Sequence, residues 1–397
     1  MYPPQGPPPG GHAAWQPKAT LQTSDLPDPE KLRRRVGCGC YGVAMLAGLF
    51  LLFLLFIVFP VATEGVGTLL AMFVGACLAF PAALVYLTVP RLLDRYDPEP
   101  AYALIMALAW GAIAACGASA VVNTFVGVAI GGQAGEVIST VVSAPLIEEG
   151  TKGLLVLGYF YFLRREFDGV VDGIIYATFC AIGFAAVENV IYYANAGLEA
   201  GAGGMIGTFV VRGVLAPWGH PLYTSMTGIG VGIARETDKV WLRPIAPVLG
   251  YAAAVFLHAV WNGTAVLLGP SEVGGLIFLF IMLPLWLLFV VAFLAIVIVL
   301  VRRRGKIIRN HLLDEVALGH LTQAELDLVA SAFGGLTAYF RKGKQGVEFV
   351  RAVARLALSK WHTGRAVKTS SRTVSMDFIA PLRRRIRELR AQGASPA

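Results

Sequence analysis

Long apolar stretches dominate the sequence, and short polar or charged segments separate them. A run of about 20 apolar residues is long enough to cross the hydrocarbon core of a bilayer as an α-helix. Only 15% of the 397 residues are charged and 56% are hydrophobic, whereas soluble domains carry about 25% charged residues. We therefore predict an all-α polytopic membrane protein of about eight transmembrane helices. The apolar runs lie near residues 41–62, 66–89, 101–130, 137–162, 170–196, 206–233, 244–268 and 274–301.

The positive charges between these runs alternate from one connecting segment to the next. Every segment that follows an even-numbered run contains Lys or Arg, and the segments after the first, third, fifth and seventh runs contain neither. Because short cytoplasmic loops carry an excess of Lys and Arg, the pattern predicts a multi-pass protein of the cell (plasma) membrane with both termini in the cytoplasm.

The two ends of the chain differ from its middle. Residues 1–35 begin with a Pro/Gly-rich segment, which predicts a disordered cytoplasmic tail. Residues 36–304 form the predicted transmembrane domain, and residues 305–397 form a predicted basic helical region on the cytoplasmic side. From residue 302 to the end the chain carries 19 Lys/Arg and 7 Asp/Glu. This excess is typical of membrane topology, so we expect membrane lipids as partners and no nucleic acid.

The run 137–162 contains three charged residues at its middle: Glu148, Glu149 and Lys152. A charge at the bilayer centre costs roughly 2.5–3.5 kcal/mol on insertion scales. These side chains are therefore expected to face protein or a water-filled cavity, and such residues mark functional sites by default. Glu148 and Lys152 are four residues apart, so they share one helix face and can pair.

Three further spans carry polar residues near the middle of the bilayer. Glu188 and Asn189 lie in the fifth run, His220 lies in the sixth beside two prolines, and His258 and Asn262 lie four residues apart in the seventh. At about 1.5 Å of rise per residue, Glu149, Glu188 and His258 are expected at a similar depth. The depth of His220 depends on where its helix begins, and Pro217 and Pro221 predict a kink or break there.

Two chemistries fit this set of residues. Imidazole and carboxylate groups suit zinc, and a buried glutamate can also activate water as a general base while His and Asn side chains stabilise an oxyanion. Both routes lead to amide hydrolysis. An ion- or proton-coupled transporter would use the same buried acids, so the residues alone leave hydrolase and transporter open.

Four sequence motifs resemble those of the PrsW family of intramembrane proteases, which is related to a wider group containing CAAX prenyl endopeptidases and bacteriocin-processing enzymes. The motifs are Glu-Glu-Gly-Thr-Lys (148–152), Phe-Ala-Ala-Val-Glu (184–188), His220 and His-Ala-Val-Trp-Asn (258–262). The resemblance covers roughly residues 100–300. Each motif lies on its own predicted span, and the four occur in the order that the family has.

The resemblance implies an intramembrane endopeptidase that cleaves a membrane-anchored protein substrate, for which an anti-sigma factor is the family's example. It implies Glu148 or Glu149 as the general base, with Glu148 preferred, and Lys152 as the residue that orients the acidic pair. It implies a water or metal site completed by Glu188, His220 and His258, with zinc as the candidate cofactor, and Asn262 as the residue at the oxyanion.

Two alternatives remain beside this interpretation. A transporter would be expected to show an internal repeat, and the two halves of the chain show none. A catalytically silent scaffold would be expected to lack some of the motif residues, and all of them are present.

Overall fold

The computed structural model describes residues 29–397, except residues 95, 97, 165, 270, 332 and 369–373. Every regular element in this part of the chain is helical, which confirms the predicted all-α class. The α-helices are α1 (Pro29–Phe53), α2 (Phe59–Glu64), α3 (Gly67–Tyr86), α4 (Thr88–Leu93), α5 (Ala101–Ala109), α6 (Cys116–Ile130), α7 (Gly132–Ile138), α8 (Ala144–Phe162), α9 (Val170–Thr208), α10 (Gly219–Glu236), α11 (Leu242–Leu268), α12 (Glu272–Ile277), α13 (Leu283–Asn310), α14 (Leu313–Ala317), α15 (Gln323–Val329), α16 (Gly334–Lys368) and α17 (Ile379–Ala391).

Short π-helical segments interrupt several of the long helices. A π-turn holds one residue more than an α-turn and is frequent at functional sites. Two of these segments directly precede helices that carry predicted site residues, since Ser139–Ser143 leads into α8 and Phe209–Leu215 lies just before α10. The other π-helical segments are Leu54–Val58, Trp110–Ala115 and Phe278–Met282, and Val374–Phe378 is a 3-10 helix.

Within the described residues, six helical stretches are long and apolar enough to cross a membrane, so the predicted count of eight is not confirmed. One of them, Val170–Glu236, is a single stretch where the sequence predicts two spans, although the chain departs from helical geometry at Ala200 and Gly201. The predicted span 137–162 is not among the six, because its three charged residues interrupt the apolar sequence. The six stretches are Leu32–Glu64, Gly67–Leu93, Ala101–Ile130, Val170–Glu236, Leu242–Leu268 and Glu272–Ala317.

Helices α9 and α10 form the centre of the membrane domain. In the most apolar 18 residues of Val170–Glu236, 83% of the segment is buried inside the protein. The corresponding segment of Leu32–Glu64 is only 6% buried and is left to face lipid. A Cβ atom on Gly173 would lie 2.2 Å from the carbonyl oxygen of Gly228, and one on Gly228 would lie 2.3 Å from that of Gly173. Glycine is therefore needed at both positions, because the two backbones touch where the helices cross.

The C-terminal helices pack against the end of this domain at which α13 leaves it. The apolar face of α13 continues into their core through Val301 and Ile308, which are fully buried together with Leu356 of α16. Ion pairs join α16 to the loops between the membrane helices, and Arg355 Nη2 lies 2.8 Å from Glu166 Oε2. A capping box formed by Thr322 and Glu325 stands at the start of α15.

The predicted Pro/Gly-rich tail falls for the most part on residues 1–28, which lie outside the described residues. The first described helix begins at Pro29. Helix α13 runs without interruption across the predicted domain boundary between residues 304 and 305.

The glycine contact between α9 and α10 leads to a stability prediction. We expect Gly228→Ala to lower the midpoint of thermal unfolding in detergent, because the added methyl group overlaps the backbone of Gly173 and must separate the two helices. Gly207→Ala is the matched control, since a Cβ atom there meets nothing within 4 Å. An unfolding midpoint for Gly228→Ala equal to that of the control would contradict the proposed contact.

Candidate active site

The predicted ionisable residues of four separate helices meet in one buried cluster. Helix α8 contributes Glu148, Glu149 and Lys152, which are 5%, 0% and 0% exposed. Glu188 comes from α9, His220 from the first turn of α10 and His258 from α11. The expectation of a single layer is therefore met by the positions of these side chains, including His220.

Lys152 lies at the centre of the cluster. Its Nζ atom is 2.8 Å from Glu149 Oε1, 3.0 Å from His220 Nδ1 and 3.5 Å from Glu148 Oε2. It also lies 3.9 Å from the centroid of the Phe184 ring. One ammonium group therefore contacts three polar partners on two helices and an aromatic ring on a third, so that its charge is compensated without water.

Glu149 is fully bonded within the protein. Its Oε1 atom is 2.8 Å from Lys152 Nζ and 3.1 Å from His258 Nδ1, and its Oε2 atom accepts a hydrogen bond of 2.7 Å from Thr224 Oγ1. A carboxylate with these partners is suited to orienting its neighbours and is not available to a substrate.

The hydrogen bonds assign the tautomers of the two histidines. A lysine ammonium group only donates, so Nδ1 of His220 must accept from Lys152, and Nε2–H donates to Glu188 Oε2 at 3.0 Å. In His258, Nδ1–H donates to the carboxylate of Glu149, which leaves the lone pair on Nε2, 4.0 Å from Glu148 Oε2. His258 therefore directs the lone pair of Nε2 toward Glu148, whereas the lone pair of His220 Nδ1 is occupied by the ammonium group of Lys152.

Two of the three glutamates of the cluster each have a closely paired cation, and Glu148 is the third. Arg212 lies 2.5 Å from Glu188, and Lys152 is closest to Glu149. Within this cluster Glu148 has no cation of its own, because Lys152 is nearer to Glu149. A buried carboxylate in this position favours a bound cation or a proton as its partner.

A cavity of about 390 Å³ opens beside the cluster. Glu148, Glu188, His220 and His258 line it, whereas Glu149 and Lys152 are not among its lining residues. The cavity continues past polar side chains that lie, along their helices, toward the loops predicted to be extracytoplasmic. These side chains are Asn123, Ser139, Thr140, Asn195 and Asn262.

Asn262 lies in the cavity wall one helical turn from His258. Its Nδ2 atom donates to the carbonyl oxygen of Thr140 at 2.9 Å, which fixes the amide against the π-helical segment that precedes α8. Asn189 follows Glu188 in α9, and its Oδ1 atom accepts a hydrogen bond of 2.8 Å from Arg212 Nε.

Two residues of the site were missed by sequence reasoning. Arg212 is not among the predicted site residues, although a single arginine in a long apolar run is itself a signal for an intramembrane site. Thr224 gave no such signal, because threonine is common in membrane helices, and its bond to Glu149 depends on how α10 packs against α8.

Comparison with known proteins places the chain in a family. The sequence pattern described as PrsW family intramembrane metalloprotease matches residues 99–300, which is just over half of the chain. The chain belongs to the PrsW family. The matched segment contains all four motifs and all the residues of the cluster.

Several curated PrsW proteins are similar to this chain at modest identity. Protease PrsW of Geobacillus kaustophilus is 32% identical over 149 residues, which cover 36% of this chain and 58% of that protein. Protease PrsW of Oceanobacillus iheyensis is 27% identical over 117 residues, which cover 30% of this chain and 49% of that protein. The chain thus spans about half the length of the curated relatives it matches. No solved structure matches it.

The cluster fits the metal ion that the PrsW family description implies. One ligand atom each of Glu148, His220 and His258 lie within 4.8 Å of one another, and two imidazoles with a carboxylate are a zinc-type donor set. Since zinc bonds of about 2.0–2.2 Å place two ligands at most about 4.3 Å apart, small side-chain movements would bring the ligand atoms close enough. His220 would in addition have to exchange the hydrogen bond from Lys152 for the metal ion. Glu188, which the sequence suggested as a ligand, is instead bonded to Arg212 and His220.

The different partners of the two adjacent acids predict different effects on stability. Glu149→Gln leaves Lys152 buried without its closest counter-charge, and breaking a buried ion pair costs about 3–5 kcal/mol. We expect a large fall in the thermal unfolding midpoint in detergent for Glu149→Gln and a smaller one for Glu148→Gln. Glu136→Gln, at an exposed position of α7, is the control. Equal midpoints for the Glu148 and Glu149 variants would refute the assigned pairing.

Proposed function

We propose that this chain is an intramembrane endopeptidase that hydrolyses a peptide bond of a membrane-anchored protein at the Glu148 cluster. The observation that carries this proposal is that Glu148, His220 and His258 face one cavity together, while Glu149 and Lys152 support them from behind. Membership of the PrsW family supports the same activity and does not favour the transporter alternative.

Glu148 is the proposed general base. It is the acid of the α8 pair that lines the cavity. Its cationic neighbour on α8, Lys152, lies 3.5 Å away and is closer to Glu149. A carboxylate in this position can take a proton from the attacking water and pass it to the leaving amine. Glu149 and Lys152 are positioning residues, because Glu149 holds His258 with its Nε2 lone pair toward Glu148 and Lys152 holds the ring of His220.

Asn262 is the proposed oxyanion donor. Its amide lies in the cavity wall, and the bond to the Thr140 carbonyl fixes its orientation. A side-chain donor fixed in this way can stabilise the negative charge that develops on the carbonyl oxygen of the scissile bond. Alternatively, Glu148, His220 and His258 could hold a zinc ion, which would supply Lewis-acid activation of water. In that case Glu148 would be a ligand of the ion and not the free base.

The substrate is proposed to be an anchored protein that reaches the cavity from the extracytoplasmic side. The polar residues of the cavity wall lie toward the loops that lack Lys and Arg, and the opposite loops carry the positive charges. With both termini and the basic region 305–397 in the cytoplasm, Arg and Lys at the end of α13 would contact anionic lipid head groups. An anti-sigma factor is the substrate that the family resemblance suggests.

Proteolysis tests the role of Glu148. Purified protein in detergent would be incubated with a library of single-span membrane substrates, and cleavage would be read by mass spectrometry. We expect Glu148→Gln to lower the turnover of any cleaved substrate by about 10²–10⁴-fold, with its helical content retained. Glu136→Gln makes the same chemical change away from the cavity and is expected to cleave at the parent's rate. Undiminished cleavage by Glu148→Gln would show that the base lies elsewhere.

The metal content of the same samples tests the ligand set. We expect the parent to copurify with a divalent metal and His258→Ala to lose it, because the imidazole Nε2 supplies one of three donors. Elemental mass spectrometry measures both. Metal retained at the parent's level in His258→Ala would exclude this histidine as a ligand, and proteolysis by a metal-free parent would identify a glutamate protease.

A further inference from the structure

Arg212 occupies a part of the cavity wall that none of the four motifs includes. Its Nε atom donates to Asn189 Oδ1 at 2.8 Å, and its Nη2 atom donates to Glu188 Oε2 at 2.5 Å. Its guanidinium carbon lies 3.6 Å from the centroid of the Tyr192 ring. These three partners lie on one face of α9, so the guanidinium group is held by a helix other than its own.

The regular backbone ends shortly after Arg212. The π-helical segment Phe209–Leu215 ends with a bond from the Ala216 amide to the Val211 carbonyl, and α10 begins only at Gly219. Tyr86 Oη donates to the carbonyl oxygen of Gly213 from α3. Because the helical hydrogen bonds are interrupted between Leu215 and Gly219, contacts of this kind determine where α10 and its first residues lie.

One oxygen atom links Arg212 to the candidate active site. Oε2 of Glu188 accepts both from Arg212 Nη2 and from His220 Nε2, at 2.5 Å and 3.0 Å. Without the guanidinium group the Glu188 carboxylate would be partly buried with only an imidazole N–H as partner. A carboxylate left in that state would turn toward water in the cavity and release the ring of His220.

We propose that Arg212 is a positioning residue that acts through Glu188 to fix the ring of His220. With Nε2–H held by Glu188, the lone pair of Nδ1 stays directed toward Lys152, and a metal ion bound by His220 would take the place of that hydrogen bond. This role extends the proposed function. Its expected effect on metal affinity rests on the metal site proposed there. Groups that orient a metal-binding histidine typically contribute about 10–100-fold to metal affinity.

Cobalt affinity is the first test. Purified full-length protein in detergent, stripped of metal, would be titrated with Co²⁺ and followed by visible absorption. We expect Arg212→Met to bind Co²⁺ about 10–100-fold more weakly than the parent. Arg212→Lys should recover part of the loss, because lysine restores the charge beside Glu188 without the planar fork that also reaches Asn189. Parental Co²⁺ affinity in Arg212→Met would overturn the proposal.

Two further variants separate positioning from loss of fold or charge. Arg243→Met makes the same change at an exposed position in the first turn of α11 and is expected to bind Co²⁺ like the parent. Asn189→Leu removes one bond to Arg212 without changing any charge and is expected to cause a smaller loss than Arg212→Met. An equal loss in Arg243→Met would reduce the effect to net charge and overturn the proposal.

The reactivity of His220 tests the positioning role without a metal. Diethyl pyrocarbonate modifies imidazole nitrogens, and peptide mass spectrometry would give the rate at His220 in metal-free protein. We expect several-fold faster modification in Arg212→Met and an unchanged rate in Arg243→Met. An unchanged rate in Arg212→Met would overturn the proposal. A parent that binds no Co²⁺, together with faster modification in Arg212→Met, would refute the metal site and support the role of Arg212.

Discussion

The buried ammonium group of Lys152 is the interaction on which the candidate site depends. A lysine at this depth is tolerated only when its charge is compensated inside the protein, and Glu149 at 2.8 Å supplies the closest counter-charge. The other N–H groups of Lys152 donate to Glu148 Oε2 on the same helix and to His220 Nδ1 on α10. The helices must therefore pack so that these acceptors converge, and the requirement to compensate one charge also assembles the cluster.

The packing of the membrane domain meets this requirement through a close contact between two of its helices. Gly173 and Gly228 let the backbones of α9 and α10 touch, which keeps the two helices that carry Glu188 and His220 side by side. The break before α10 then allows the chain to turn, so that Arg212 and His220 reach the same carboxylate oxygen of Glu188. Regular helix packing thus places α9 beside α10, and the irregular segment before α10 brings the side chains of Arg212 and His220 to Glu188.

Much of this arrangement could be predicted from the sequence, because charge is costly in a membrane. That cost identified Glu148, Glu149, Lys152 and the later ionisable residues as a candidate site. The long apolar runs between the charged segments indicated the all-α class. The partners of each group could not be predicted, because they depend on packing between helices. Thr224 and Arg212 contact the site from helical turns whose direction is set by the tertiary structure. The predicted count of eight membrane spans is not confirmed, because the charges of α8 make it more polar than an ordinary membrane helix and because Val170–Glu236 is one apolar stretch where the sequence predicts two spans.

The two adjacent glutamates show why one motif holds two acids. Successive residues of an α-helix point about 100° apart, so Glu148 and Glu149 cannot face the same surroundings. Glu149 points among Lys152, Thr224 and His258 and is fully buried, whereas Glu148 reaches the cavity. One carboxylate therefore neutralises Lys152 and orients a histidine, and that leaves the other free to meet a water molecule or a metal ion. A single glutamate could not do both, because the carboxylate that three neighbours hold among them is fully buried and does not line the cavity.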